Sequence, residues 1–231
     1  MSIRDNIESV ISLKNQAAVR SGRKGEDVLL VAVTKLHSPD EINEAIDCGI
    51  TDIGENKVQE IMDKFDSIKP VRWHLIGHLQ TNKVKYIIDK VSMIHSVDSL
   101  HLAKEIDKRA GQHGIVMDIL IQVNSAMEET KFGIKSEETG QLIEDILESC
   151  PNIRICGLMC IAPFEENPED ARPFFAEVKS LFDKYKDIKD PKIDFKYLSM
   201  GMSNDFQEAI EEGSNLIRVG TSIFGARDYS K

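Results

Sequence analysis

The chain has 231 residues, 41% of them hydrophobic and 29% charged, enough to bury a sizeable core and too apolar for a disordered chain. Its 29 basic residues stand against 39 acidic ones, a formal net charge of −10, which argues against a nucleic-acid surface spread over the molecule and leaves room for a local basic pocket that takes one small anion. Cys48, Cys150, Cys156 and Cys160 do not read as a disulfide framework, and no signal peptide or membrane-length apolar run is visible, so a soluble protein of the reducing cytoplasm is expected.

Ser2 caps a predicted helix over residues 3–20, with Ile3, Ile7, Val10, Ile11 and Val19 at roughly helical spacing. Val28 to Thr34 is a continuous apolar and β-branched run, as in a strand buried on both faces of a parallel sheet. Ser38-Pro39-Asp40-Glu41 opens the next helix, with proline in its first turn, and Cys48-Gly49 closes it. The alternation then continues. TDIGEN holds a short strand, followed by a helix from about Lys57 to Phe65. VRWHLIG is a strand, followed by a helix through Val84 and Ile87. SMIHSV leads to a helix from Ser99 to Ala110, and VMDILIQVN to one from Ser136 to Glu148. IRICGLMCI leads to a helix from Pro168 to Lys184, and DFKYLSM to one near Asp205 to Glu212. LIRVG is the last strand and runs into GTSIFGA. Eight strands alternating with helices imply an α/β protein with a parallel sheet. Eight such units in this length suit a single closed (β/α)8 TIM barrel with an extra N-terminal helix, one domain over residues 1–231. A doubly wound open sheet is the alternative.

In such a barrel the site lies at the C-terminal ends of the strands. Lys35 ends an otherwise apolar strand. Partial desolvation there lowers the pKa of an ammonium and frees the amine as a nucleophile toward carbonyls, although a strand-end lysine taken alone more often snorkels to solvent. LSMGMSND and RVGTSIFG are glycine- and serine-containing turns that lead into helices, with Ser199, Gly220 and Thr221 as candidate anion donors. Each alone is an ordinary capped turn, but both follow the last two strands, where barrels often hold a phosphate. Arg218 lies within the last strand and needs partners, a ring nitrogen or an acidic side chain, and a structural ion pair fits equally. His74 and His78 have i, i+4 spacing, but in a strand and turn they diverge. Cys156 and Cys160 lack a second pair at zinc spacing, so no metal site is expected. Met117, Met159 and Met200 read as packing residues, with Met200 nearest to a cofactor role.

The strings VAVTK, IGEN, WHLIGHLQTNK, IQVN, ETKFGI, GLMCIAP, LSMGMSNDFQEAI and RVGTSIFG run in order through the chain. Together, and over nearly its whole length, they closely resemble the YggS/PROSC family of pyridoxal phosphate homeostasis proteins. The resemblance implies a fold-type III pyridoxal 5'-phosphate (PLP) barrel, similar to the N-terminal barrel of alanine racemase. The family's lysine, which forms a Schiff base with PLP, sits in VAVTK and falls on Lys35. Its phosphate-binding residues fall on Ser199, Gly220 and Thr221, with Met200 and Ser203 nearby. Its arginine near the pyridine nitrogen falls on Arg218, and Asn56 of IGEN matches a residue lining the cofactor. His78 and Lys131 match positions close to the site entrance. Lys57, where tyrosine is more usual, Cys160, where threonine is common, and Leu36 and His37 after the lysine depart from the pattern; they bear on the cofactor's outer face.

An arginine facing the pyridine nitrogen opposes protonation there, so the ring stabilises a carbanion less well. Racemases with the same arginine still work, so this feature alone does not abolish catalysis. Alanine racemase-like enzymes add a C-terminal β domain that supplies another catalytic base. After RVGTSIFG this sequence has only ARDYSK, and Tyr229 in a frayed end is a poor place for a positioned base. The resemblance therefore points to a PLP-binding protein and not an enzyme. It would hold PLP reversibly on Lys35, maintain vitamin B6 homeostasis and deliver PLP to apo-enzymes, with Lys131 as a candidate acceptor in transit. A PLP-dependent amino-acid racemase is the alternative; a class I aldolase-like barrel and a plain interaction domain are further rivals. A monomer is expected, with a weak dimer as the alternative, and no nucleic-acid or membrane partner.

Overall fold

The computed structural model describes residues 2–126 and 132–225; the expectations placed on Lys131 and Tyr229 lie outside them. Eight parallel strands close into a barrel in sequence order: β1 (Leu29–Val33), β2 (Asp52–Glu55), β3 (Arg72–Leu75), β4 (Met93–Val97), β5 (Met117–Val123), β6 (Ile153–Cys160), β7 (Ile193–Ser199) and β8 (Leu216–Val219). The last strand returns to the first, with Leu29 opposite Leu216 and Val31 opposite Arg218. That pairing decides for the closed barrel over an open sheet.

The helices are α1 (Ile3–Arg20), α2 (Pro39–Asp47), α3 (Val58–Lys64), α4 (Leu100–His113), α5 (Thr139–Ser149), α6 (Arg172–Tyr185), α7 (Phe206–Glu211) and α8 (Thr221–Phe224). Local chemistry starts and stops them. Ser2 with Asp5, and Ser38 with Glu41, form capping boxes on α1 and α2, each satisfying backbone donors that the first turn leaves open. Gly114 ends α4 in the left-handed conformation. The expected N-terminal helix is α1, which buries Ile7, Val10, Ala17 and Ala18 and packs against α2, α7 and α8.

Three connections differ from expectation. The segment through Val84 is a 3-10 helix over Thr81–Tyr86, not an α-helix. Only Val84 of that segment is buried, so it has no apolar face long enough to support a full helix. The helices expected from Ser136 and Pro168 each open with a 3-10 turn, over Ser136–Glu138 and Pro168–Ala171, before α5 and α6 begin.

The β6–β7 register shifts between Ile155 and Gly157. Gly157 has φ +143°, and a Cβ there would sit 1.8 Å from the Tyr197 carbonyl oxygen, so the bulge admits only glycine. The main core is one continuous apolar layer between strands and helices. Met93, Leu120, Cys156 and Met159 form a separate small cluster. No described helix is long and apolar enough to cross a membrane.

Candidate functional site

Barrel closure puts all eight strand ends on one rim, and there a cavity of about 660 Å³ opens. Lys35, Asn56, Ser203, Arg218, Gly220 and Thr221 line it, joined by the Ser222 side chain and by an apolar wall that includes Val33, Ile76, Ile161, Phe164 and Met202. Six of the nine predicted site residues therefore meet in one place.

Lys35 follows β1 and is half-buried. The chain on both sides of it is pinned. Thr34 Oγ1 donates to Glu55 Oε1 at 2.7 Å. The Lys64 ammonium donates to the Thr34 carbonyl at 3.0 Å and to Glu55 and Glu60 at 2.8 Å each. The Leu36 N–H donates to Glu60 Oε2 at 2.7 Å. Leu36 has φ +66°, the one non-glycine residue with positive φ among those described. That conformation costs a residue with a Cβ about 1–2 kcal/mol, and the Glu60 bond holds it. Burial pushes the Glu55 carboxyl above the ordinary glutamate range, and Lys64 opposes that push. The sequence marks Glu55 only as a strand-end position beside Asn56 and does not single out Glu60 or Lys64. Their only local signal is the Glu60–Lys64 i, i+4 pair on α3.

Asn56 leaves β2 against the glycine turn after β3. A Cβ on Gly77 would lie 2.3 Å from the Asn56 carbonyl oxygen, so Gly77 is what lets the two loops touch. Across the cavity, Ser203 ties the last two loops together: its Oγ accepts from the Gly220 N–H at 3.2 Å and the Ser222 N–H at 3.4 Å. A Cβ on Gly220 would press on Val33 Cβ at 3.2 Å, so the bare backbone keeps this corner open. Hydroxyls of Ser203, Thr221 and Ser222 surround it, a set of donors suited to a small anion.

Arg218 forms part of the cavity wall yet is almost fully buried. Its Nη1 donates to Ser199 Oγ at 2.5 Å and its Nη2 to the Cys160 carbonyl at 2.8 Å. The structural ion pair considered for it is replaced by these two neutral acceptors.

Three predicted site residues stand elsewhere. Ser199 is completely buried and points into the barrel, where its hydroxyl meets Arg218 and lies 3.1 Å from His95 Nδ1. Met200 belongs to the main apolar core and not to the cavity wall. The reason is strand alternation: with Ser199 turned inward, its neighbour faces the helix layer. His78 stacks on Phe132 with ring centroids 3.7 Å apart and lies 3.8 Å from Asp98, off the lined cavity. His74 and His78 have different partners, since His74 bonds Asp52 and His95. Among the described residues no cluster of histidine, cysteine, aspartate and glutamate is arranged to hold a metal. Of the lining residues the sequence reading missed, Phe164 is notable: it is 82% exposed at the cavity rim, and nothing in its local sequence marks it.

Residues 12–228 match the family model of the alanine racemase N-terminal domain. A protein of Aquifex aeolicus (strain VF5), named pyridoxal phosphate homeostasis protein, is 43% identical over 231 residues, covering 99% of this chain and 100% of that one. Among solved structures, a Bifidobacterium adolescentis protein described as unknown superposes with a TM-score of 0.90 at 33% identity, covering 96% of this chain and 94% of its own. PipY of Synechococcus elongatus PCC7942, solved with PLP bound, superposes with a TM-score of 0.81 at 31% identity, covering 97% and 100%. With the fold, the rim cavity and these likenesses in agreement, the chain belongs to the pyridoxal phosphate homeostasis protein family, built on the barrel of the alanine racemase N-terminal domain.

Proposed function

We propose that this protein binds PLP in the rim cavity, holds it covalently through the Lys35 amine, and serves vitamin B6 homeostasis as a carrier that yields PLP to apo-enzymes. The observation that carries the reading is the meeting of three chemistries in one cavity: an amine, a guanidinium, and a cluster of hydroxyl and backbone donors. The residues fit the group. An aldehyde needs the amine of Lys35. An aromatic ring needs apolar walls, here Val33, Ile76, Ile161 and Met202. A phosphate needs clustered donors, and Ser203, Thr221, Ser222 and the bare Gly220 backbone supply them.

When bound, PLP supplies an electron sink for amino-acid chemistry. This chain's residues restrain that use. Arg218 offers only donors and no acceptor, so beside a ring nitrogen its positive charge would oppose protonation there. Among the described residues that line the cavity none is a carboxylate, imidazole, thiol or phenol, which leaves Lys35 as the group able to take and return a proton. Racemisation needs a second such group on the opposite face. That difference favours the carrier over the racemase. Phe164, exposed at the rim, offers an acceptor an apolar contact beside the cavity. Free Cys48, Cys150, Cys156 and Cys160 support a reducing compartment such as the cytoplasm. We place the protein there as a monomer, because its exposed large apolar residues, among them Val19, Met62, Val116 and Phe164, belong to different segments and do not suggest one broad patch.

Purified protein with PLP is expected to show a visible absorbance band that borohydride abolishes, with peptide mapping placing the reduced pyridoxyl group on Lys35. Lys35→Ala should lose the band and all covalent retention. A band that persists in Lys35→Ala, or an adduct on another lysine, overturns the anchor. Exchange of an amino-acid α-proton in deuterated water by the wild-type protein would instead establish the racemase.

A further inference from the structure

The barrel interior holds a file of polar side chains that neither the Lys35 anchor nor the anion cradle uses. It starts at the cavity wall. Arg218 Nη1 lies 2.5 Å from Ser199 Oγ, and Ser199 Oγ lies 3.1 Å from His95 Nδ1. His95 Nε2 lies 2.9 Å from His74 Nδ1, and His74 Nε2 lies 2.9 Å from Asp52 Oδ1. At the far end the Arg72 guanidinium grips Asp52 with two bonds, at 2.7 and 2.5 Å, and Thr51 Oγ1 donates to Asp52 Oδ2 at 2.7 Å. Ser199 on β7 and His95 on β4 are not on neighbouring strands, so this contact crosses the barrel interior. Arg218, Ser199, His95, His74 and Asp52 are all buried, none more than 3% exposed. Barrel interiors are ordinarily filled with branched apolar side chains. Five buried polar groups are tolerable only if each is satisfied.

The two ends set the direction of every bond between them. A guanidinium has no acceptor, so Ser199 Oγ must accept from Arg218. Among the described residues the only other partner of that hydroxyl is His95 Nδ1, so the hydroxyl proton points there and Nδ1 is bare. His95 then carries its hydrogen on Nε2 and donates to His74 Nδ1. His74 in turn carries its hydrogen on Nε2 and donates to the Asp52 carboxylate, which Arg72 holds ionised. Each bond of the file has one proton, and both imidazoles are neutral.

We propose that Ser199, His95, His74 and Asp52 are positioning residues for Arg218: a one-way donor file, with both histidines neutral and protonated on Nε2, that locks the guanidinium in the cavity wall to face the ring of the bound cofactor. The last clause rests on the cavity being the PLP site; the file itself does not. The arrangement has a built-in intolerance. A hydrogen on His95 Nδ1 would confront the Ser199 hydroxyl, whose own proton would then have no acceptor, and the bond to Arg218 would have to share the same oxygen. Keeping the file neutral is what keeps Arg218 in place.

Two measurements test it. In the 15N-histidine spectrum of the full chain without added PLP at neutral pH, His74 and His95, assigned through His74→Gln and His95→Gln, should both show the neutral Nε2–H pattern. An Nδ1–H tautomer or an imidazolium at either residue overturns the file. PLP is then titrated into wild type, His95→Gln, His95→Leu and Ser199→Ala. The glutamine amide carries an acceptor and a donor in the same order as the imidazole, so His95→Gln should keep the wild-type absorbance band and affinity. His95→Leu and Ser199→Ala should shift the band and weaken PLP binding about tenfold, the effect of leaving a donor of a buried charge unpaired. Ser199→Ala removes one oxygen next to Arg218 and decides the matter if the leucine variant does not fold. Wild-type spectra and affinity in Ser199→Ala overturn the positioning role. If wild type itself bound no PLP, the cofactor reading would fall, while the histidine tautomers would still decide the file.

Discussion

Single side chains in this barrel take their chemistry from how far they are removed from water. The cysteines show it. Burial pushes the thiols of Cys156 and Cys160 up to about 12 and also raises Cys150, because a thiolate in an apolar surrounding loses its hydration. Cys48 is only half-buried. Brief alkylation of the native protein near neutral pH, followed by mass mapping, should therefore modify Cys48, with Cys150, Cys156 and Cys160 reacting only on unfolding. Rapid native labelling of Cys160 would show that the wall behind Arg218 opens. The place of Lys35 at the end of an apolar strand is legible in the sequence. The strained turn beside it at Leu36 is not, since φ +66° there depends on a carboxylate from α3.

At the scale of elements, β2 and α3 form the rigid back of the lysine turn. Glu55 ends β2 and is fully buried, and Lys64 ends α3 and is nearly so. Among the described residues Glu55 Oε2 has no hydrogen-bond partner, and Oε1 meets the Thr34 hydroxyl and one cation, Lys64. Removing the cation leaves a carboxylate buried without compensation, which costs about 3–5 kcal/mol. Lys64→Met should lower the urea unfolding free energy by about that amount, and adding Glu55→Gln should restore most of it. A loss below about 1 kcal/mol would mean that Glu55 simply takes up a proton. Helix ends, by contrast, were readable from local pattern. Ser2, Ser38 and Ser99 each cap a helix through the side chain, and a cap needs only residues within one turn. The Thr81–Tyr86 segment departs from the expected helix because its polar sequence carries no local measure of how little surface the barrel covers there.

At the scale of the whole molecule, the buried file makes stability depend on pH. Burial pulls the His95 imidazole well below its ordinary 6.5, helped by the nearby positive charge of Arg218. The unfolded chain then binds the proton more readily than the folded one. Stability is full above about pH 6.5 and is lost as pH falls below it. Buried Glu55 and Asp205 and half-buried Asp98 act in the opposite sense, since removal from water raises all three and the folded state holds their protons better. The His95 share is isolated by subtraction. Between pH 6 and 5 the unfolding free energy of wild type should fall more steeply than that of His95→Gln, by about 1.4 kcal/mol per pH unit. Equal slopes would mean that His95 titrates alike in both states.

The sequence by itself determined the list of elements and the rim chemistry. Apolar runs, serine caps and glycine stops are short-range signals, and a closed parallel barrel brings the strand-end segments that carry Lys35, Asn56, Ser203, Gly220 and Thr221 to the same end. Only the tertiary structure decided which way the strand residues turn. Alternation says that Ser199 and Met200 face opposite ways, but which of them faces inward follows from the register of the closed barrel, a property of all eight strands together. That register is what joins Ser199 to His95 across 104 residues of sequence, and no local pattern encodes it.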